Sequence, residues 1–386
     1  MNIAISHEDE LLQNTVRSFI ADVVIPHEEA TDRLGEVPEE IGRDIEAQSK
    51  ELGLYAANLP ESVGGGGLNY TQMALIEREF GRTSHALHSW IARPTELLMA
   101  CEGDQIDTYL TPCVSGEKRE LFALTEPEAG SDAMGMKTNA KRDGDDWILN
   151  GSKHFISAPT MADFAIVFAV TGVDETPRGE RKRITAFLVD RDMPGVVFRE
   201  GNKCVSNRGY KTYELVFHDV RLGSGQVLGE EGRGFDLAGQ WLGMGRIWVG
   251  ATCCGKAERM LELATDWAAN RKQFGKPIGS FQATGFRLAD MTIGLRTADL
   301  LVADAVRRAD AGMMQDQDAA MVKVYCSEML NNVADDTVQI FGGMGLMEEL
   351  PIQRLWRDSR IERIWDGTSE IQRHIITRSI LRPLGA

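Results

Sequence analysis

Residues 147–170, WILNGSKHFISAPTMADFAIVFAV, decide the architecture, because they break the texture of the chain on either side. Trp147 and Leu149 alternate with polar neighbours ahead of Asn150-Gly151, a dipeptide that favours a hairpin turn. Phe164 to Val170 is a short run of β-branched, aromatic and small residues, and Ile184 to Val189 is another. Clusters of Asp, Gly and Pro separate these runs. Short strands with turn signals between them predict an antiparallel sheet or small barrel over about 120–225.

Outward from this segment the period changes to that of helices. Toward the N-terminus, Leu11, Leu12, Val16, Phe19, Ile20 and Val23 recur every three to four residues. Only the loop Pro60 to Asn69, with glycines at 64 to 67, interrupts the helical reading there. Toward the C-terminus, Met260, Leu261, Ala264, Trp267 and Ala268 share one face. Met321, Val324, Tyr325, Met329 and Val333 are expected to share another. Long helices poor in Gly and Pro predict a bundle. The expected fold class is therefore α+β, in three domains: helical over 1–118, a β-domain over 119–228, and a helical bundle over 229–386.

Composition narrows the function. The chain has 386 residues, 43% hydrophobic and 26% charged, and its 42 basic against 58 acidic residues leave a net charge of −16. Such a surface repels nucleic acid and anionic lipid. No run of about 18 apolar residues suggests a membrane span. Six cysteines without a CxxC pair, and an N-terminus without a signal pattern, point to a reducing, cytoplasmic setting. Gly250 to Ala257 imitates a phosphate loop, but Ala257 stands where a Ser or Thr should follow the lysine, and the segment reads as helix. His85 and His88 are the only close histidine pair, without the pattern of a metal site. Neither a nucleophile elbow nor a dinucleotide-binding glycine fingerprint is present.

Five polar clusters remain. Phe122-Ala-Leu-Thr-Glu-Pro-Glu-Ala-Gly-Ser-Asp132 combines a stiffening proline, a permissive glycine and short polar groups. In Gly151-Ser-Lys-His-Phe-Ile-Ser157, Phe155 can stack on a planar ring and Ser157 can meet a ring nitrogen. Arg271-Lys-Gln-Phe-Gly-Lys276 is a basic group in an acidic chain, suited to phosphate. Gln339-Ile-Phe-Gly-Gly-Met-Gly345 and Trp365-Asp-Gly-Thr-Ser-Glu-Ile-Gln372 complete the set. Each alone reads equally as a turn, a cap or a core residue.

Taken in order, the clusters closely resemble the acyl-CoA dehydrogenase family of flavoproteins, from Leu59-Pro-Glu-Ser-Val-Gly-Gly65 through Thr125-Glu-Pro-Glu-Ala-Gly-Ser-Asp132 to Asp366-Gly-Thr-Ser-Glu-Ile-Gln-Arg373. The resemblance covers essentially the whole chain. It implies an N-terminal α-domain, a middle antiparallel β-domain and a C-terminal four-helix bundle. It further implies FAD, an acyl-CoA substrate, an electron-transfer flavoprotein as acceptor, and a homotetramer. Carried over by position, Phe122, Leu124, Thr125, Gly130 and Ser131 should contact FAD, with Ser131 also near the acyl-CoA. Phe155 and Ser157 should cover the flavin. Arg271, Gln273, Phe274, Gln339, Gly342 and Gly343 should reach the FAD of a neighbouring subunit, Gln282 should bind the cofactor, and Thr368 and Glu370 should touch the adenosine half of FAD. Gly243, Arg246 and Gly367 should line the substrate. No metal is implied.

The resemblance makes Asp366 the base that takes the α-proton while a hydride leaves the β-carbon for the flavin. Most members of the family carry Glu there, and Gly245 occupies the alternative base position. Aspartate is shorter by one methylene, roughly 1.5 Å of reach. A displacement of about 1 Å can cost on the order of 100-fold. Other departures are Glu128 for a usual Gly, Gly243 for an Asp, and Trp365 for a Tyr. A flavin oxidase of the same fold, acting on acyl-CoA or a nitroalkane, and a non-catalytic binding or scaffold relative are the rival expectations.

Overall fold

The computed structural model describes residues 6–384 apart from 92, 159–161 and 178. Residues 1–5, where the sequence was read for a signal, lie outside it. Helices dominate up to residue 115: α1 (His7–Phe19), α2 (Glu28–Leu34), α3 (Glu39–Glu51), α4 (Tyr70–Phe80), α5 (His85–His88) and α6 (Thr111–Ser115). Ser6 caps α1 through its hydroxyl, and Asn69 with Gln72 forms a reciprocal capping box on α4. The glycine loop 64–67 is non-helical, as expected. A Cβ on Gly65 would sit 2.2 Å from the Leu59 carbonyl oxygen, so only glycine lets the loop fold back on itself.

The middle region is an eight-stranded sheet: β1 (Glu120–Ala123), β2 (Asn139–Asp143), β3 (Asp146–Ala158), β4 (Phe164–Thr176), β5 (Gly179–Asp190), β6 (Val196–Glu200), β7 (Lys211–Leu222) and β8 (Val227–Leu228). Two expectations need correction. The sheet is not purely antiparallel: β1 runs parallel to β4 in the register Glu120 to Phe164, and β2 meets β4 in parallel at Asn139 and Val170. β1 arrives from the helical domain, so no hairpin constrains its direction.

Asn150-Gly151 is not a turn either. It lies inside β3, at a bulge against β7, and the hairpin turn sits earlier, at Gly144-Asp145 between paired Asp143 and Asp146. The glycine is needed because its φ is 139° and a Cβ would lie 2.5 Å from the Thr138 hydroxyl oxygen. Asn150 Nδ2 donates to the Asp219 carboxylate at 2.9 Å, pinning the bulge.

The bundle consists of α7 (Gly234–Asn270), α8 (Gln282–Asp310), α9 (Asp316–Phe341) and α11 (Ser369–Leu381), with the short α10 (Pro351–Ser359) between the last two. Its core, including Ile247, Ala251, Met260, Ala264, Leu330 and Val333, is continuous with that of the N-terminal helices. The phosphate-loop imitation lies within α7, and its Lys256 is buried in an ion pair with Glu362 at 2.9 Å. On α9 the buried stripe runs through Val322, Cys326, Met329, Leu330 and Val333. Met321 and Tyr325, expected on the core face, are 37% and 36% exposed. All six cysteines are free, five of them buried. Among the described residues no helix is long and apolar enough to cross a membrane.

Candidate active site

Asp366 and Gly367 form the turn that launches α11. Both have left-handed backbones, with φ of 51° and 89°. Aspartate tolerates this conformation better than most residues, and Gly367 occupies it without a Cβ penalty. Thr368 caps α11 by accepting the Ile371 N–H at 3.3 Å. The turn is clamped from three directions. Lys323 of α9 donates Nζ to the Gly367 carbonyl at 2.7 Å, and Arg246 of α7 donates Nε to the Asp366 carbonyl at 3.3 Å. Gln372 donates Nε2 to both carbonyls, at 3.0 and 2.8 Å.

The carboxylate itself is treated differently. It accepts no hydrogen bond and forms no ion pair within 4 Å among the described residues, because the nearby cations direct their donors to the backbone. Burial raises the Asp366 carboxyl above the ordinary aspartate value, against the opposing pull of Lys323 and Arg246. The side chain of Lys323 is fully buried, and that burial lowers its own pKa. A partly desolvated carboxylate with unoccupied lone pairs, on a rigidly held backbone, is equipped to take a proton.

The surrounding wall is largely aromatic. His85 packs edge-on against Tyr210, with centroids 4.5 Å apart, and lies tilted against Trp365 at 5.0 Å. A 2.6 Å hydrogen bond joins His85 Nδ1 to His88 Nε2. Burial lowers the pKa of both rings, that of His85 to about 3, so both are neutral. Burial and the charge of Asp366 push Tyr210 up to about 12. Trp365 Nε1 donates to Glu362 at 2.8 Å. Arg93 pairs with the buried Glu77 at 3.1 Å and lies over the Trp248 ring at 5.7 Å.

On the β-domain the turn after β1 is tied to β3. His154 N–H donates to the Thr125 carbonyl at 2.8 Å. The buried Lys153 Nζ donates to the Leu124 carbonyl at 2.9 Å and to Glu126 at 2.8 Å. Phe122 stacks on Trp241 at 4.3 Å. Gly130 and Ser131 are exposed, and nothing lies within 4 Å of a Cβ built on Gly130. Phe155 is 60% exposed with a φ of 55°, and Ser157 shares its strand. Glu128, the departure from the family pattern, is exposed and pairs with Lys137.

Eight expected contacts lie around the bundle ends. Arg271 closes α7, and Gln273 and Phe274 belong to the hairpin β9 (Lys272–Gln273) and β10 (Lys276–Pro277). Its turn, Phe274-Gly275, has φ of 52° and 79°, and Phe274 is 93% exposed. Gln339, Gly342 and Gly343 at the end of α9 are exposed, with open space at both glycines, and Gln282 and Glu370 are exposed on α8 and α11. The structure thus joins Asp366, Gly367, Thr368 and Arg246 directly, joins Leu124, Thr125, Phe155 and Ser157 through β3, half-buries Phe122 against Trp241, buries Gly243, and leaves the other expected contacts exposed at the surface. Gly243 is buried on α7, 3.9 Å from Met314 Cε by a built Cβ.

Three features escaped the sequence reading. Lys323 clamps the turn from α9 with nothing in its local sequence to mark it, and Gln372, although it ends the Trp365–Gln372 cluster, carried no expected role as a clamp. Arg181, Lys182, Arg183 and Arg233 line a cavity of about 180 Å³ together with Asp174, Glu231 and Asp236. The Arg-Lys-Arg run at 181–183 was a visible signal for it. Lys182 is tied to the Met136 carbonyl at 2.8 Å, whereas Arg181 forms no side-chain ion pair among the described residues.

Family models named for the acyl-CoA dehydrogenase N-terminal, middle and C-terminal domains match residues 6–117, 121–220 and 232–381. The chain belongs to the acyl-CoA dehydrogenase family. It is 35% identical to human mitochondrial short-chain specific acyl-CoA dehydrogenase over 99% of this chain and 92% of that one. It is 34% identical to CarC, a subunit of the caffeyl-CoA reductase–Etf complex of Acetobacterium woodii, over 98% and 99%. A Bacillus anthracis acyl-CoA dehydrogenase solved with FAD superposes with a TM-score of 0.88 at 31% identity, covering 99% of this chain and 68% of that one.

As a member of this family the chain is an oxidoreductase acting on CH–CH groups, with FAD as cofactor. Its own residues fit that group. His154 Nδ1, beside the Thr125 turn, and Ser369 Oγ, beside Thr368, are buried without a protein partner among the described residues. The open glycines 342–343 leave room for a backbone-bound anion.

Proposed function

We propose that the protein converts an acyl-CoA to the 2,3-enoyl-CoA, with Asp366 as the base that accepts the α-proton. The observation that carries this reading is the contrast within one residue: the Asp366 backbone is clamped by Arg246, Lys323 and Gln372, while its carboxylate is left unbonded and raised by burial. Thr125, Ser157 and Phe155 would hold the isoalloxazine, with Phe155 covering one face. Thr368 and Glu370 would meet the adenosine half. Bound FAD supplies the acceptor for the hydride that leaves the β-carbon. In the cavity that Arg181 lines, Arg183 and Arg233 are matched by Asp174 and Asp236, so Arg181 is the cation there that would be offered to a CoA phosphate in a chain of net charge −16.

The assembly is proposed to be a homotetramer. In it Arg271, Gln273, Phe274, Gln282, Gln339, Gly342 and Gly343 would close over a neighbour's FAD. A phenylalanine 93% exposed in a strained turn supports a second subunit there, and Phe286 and Ile293 of α8 are 63% and 64% exposed. Electron-transfer flavoprotein is the proposed acceptor, in keeping with a relative that belongs to an Etf complex.

The test is anaerobic bleaching of the oxidised flavin by straight, branched and cyclic acyl-CoAs. At least one class is expected to bleach it, with slow return of colour in air. Asp366→Asn is expected to keep the flavin spectrum and lose at least about 100-fold in turnover. Full activity in that variant refutes the assignment of the base.

A further inference from the structure

The wall facing Asp366 carries polar atoms that the proposed reaction does not use. His85 Nδ1 is committed to His88, but His85 Nε2 has no partner among the described residues. Tyr210 is held by its backbone N–H to the Asn207 carbonyl at 3.0 Å, while its hydroxyl also lacks a partner. Neither atom is among the fully buried polar atoms that lack a partner, so each keeps some exposure. The two rings are in edge contact, and His85 also touches Trp365, the residue next to Asp366. Arg93, anchored by Glu77 over Trp248, adds a cation on the same side.

A plain alkyl chain entering this space would cover two hydrogen-bonding atoms with methylenes. Each polar group desolvated without a partner counts against that ligand, by about tenfold in affinity at the low end. Sites built with such groups reject the analogue that lacks the matching oxygen far more strongly than an apolar pocket rejects a missing methylene. The groups here also match an uncharged oxygen. Both titratable rings are neutral, and Arg93 is already paired.

We propose that His85 and Tyr210 select an acyl-CoA whose acyl group bears a hydroxyl or carbonyl oxygen beyond the reacting carbons. This rests on the acyl-CoA reading given above. In this arrangement His85 Nε2 and the Tyr210 hydroxyl share the substrate oxygen. His88 fixes the His85 ring through the 2.6 Å bond, and Trp365 is braced between His85 and Glu362, which ties recognition to the turn that carries the base.

The experiment uses the FAD-loaded enzyme and three matched pairs: butyryl-, hexanoyl- and cyclohexanecarbonyl-CoA, each against its analogue with a hydroxyl at the far end of the acyl group. Two readouts are taken, kcat/KM for flavin reduction and Kd by calorimetry for the corresponding 2-enoyl-CoA products. At least one hydroxylated member is expected to exceed its plain partner by about tenfold or more in both readouts. Tyr210→Phe and His85→Leu are each expected to cut that ratio by about tenfold, and His85→Gln, which keeps a donor, to restore part of it. The proposal is overturned if plain and hydroxylated members are equal in every pair. It is equally overturned if both variants leave the ratio unchanged while retaining FAD. Failure of all six thioesters to reduce the flavin or bind would instead bring down the acyl-CoA reading itself.

Discussion

Two carboxylates in this protein sit beside buried lysines, and they are used in opposite ways. Glu126, in the turn after β1, accepts the Lys137 N–H at 2.6 Å, the Thr138 N–H at 3.0 Å and Lys153 Nζ at 2.8 Å. These bonds outweigh desolvation and hold its carboxyl below the ordinary glutamate value. Asp366 has a comparable neighbour in Lys323, but the ammonium is aimed at a backbone carbonyl, and the carboxyl rises. A carboxylate with both oxygens engaged is structural. One whose chain is fixed while its oxygens stay unbonded is available for chemistry. The direction of the lysine donor, more than the presence of a lysine, separates the two roles.

Breaking the first region should have the largest effect. The side chain of Lys153 is fully buried and bridges Glu126 to the Leu124 carbonyl. Lys153→Met leaves a buried carboxylate short of its counter-charge, a change that costs about 3–5 kcal/mol. Urea unfolding should show that loss, and FAD should dissociate more readily, because Leu124 and Thr125 lose their anchor. The pH dependence has a definite sign. Glu126 has a lowered pKa in the folded state, so its contribution is present above the unfolded glutamate value and lost as pH falls through the folded one. Unchanged stability in Lys153→Met would remove the structural half of the comparison.

Lys323→Met tests the other region and should have a smaller effect on stability, since Gln372 also holds the Gly367 carbonyl. Its main consequence is electrostatic. Lys323 is the leading charge that lowers the Asp366 carboxyl, so removing it should raise the pKa of the base further. The acid limb of the kcat/KM profile, which rises as Asp366 ionises, should therefore move to higher pH, with activity falling on the order of tenfold on that limb. An acid limb that stays in place would show that Lys323 acts only as a tether.

The contrast also shows what a sequence can reveal. The order helix, sheet, helix followed from periodicity, and the Asp366 cluster from a contiguous motif. The clamp did not, because Lys323 and Arg246 come from helices 43 and 120 residues away, and only packing aims them at the turn. His85, Tyr210 and Arg93 were invisible as a group for the same reason. Asn150-Gly151 was misread because the residues that favour a tight turn also suit a bulge, and the approach of Thr138 decides between them. The parallel pairing of β1 with β4 depends on where the chain enters the sheet, which no local pattern records.

Gly367→Ala is the mildest way to disturb the second region. The residue sits at a φ of 89°, where an added Cβ brings backbone strain and would lie 2.7 Å from Gln372 Nε2. That nitrogen ends a flexible side chain, so it can yield, but its bonds to the Asp366 and Gly367 carbonyls would lengthen. Strain of about 1–2 kcal/mol is expected in unfolding. If the clamp is what aims the carboxylate, kcat should fall by more than that strain alone predicts, while Kd for the enoyl-CoA product changes little. Arg246 and Lys323 still hold the turn from the other side, so the loss should stay below that of Asp366→Asn. A variant that loses stability but keeps kcat would show that the turn tolerates movement. The reach of the shorter aspartate would then be set by the substrate's position and not by the backbone beneath it.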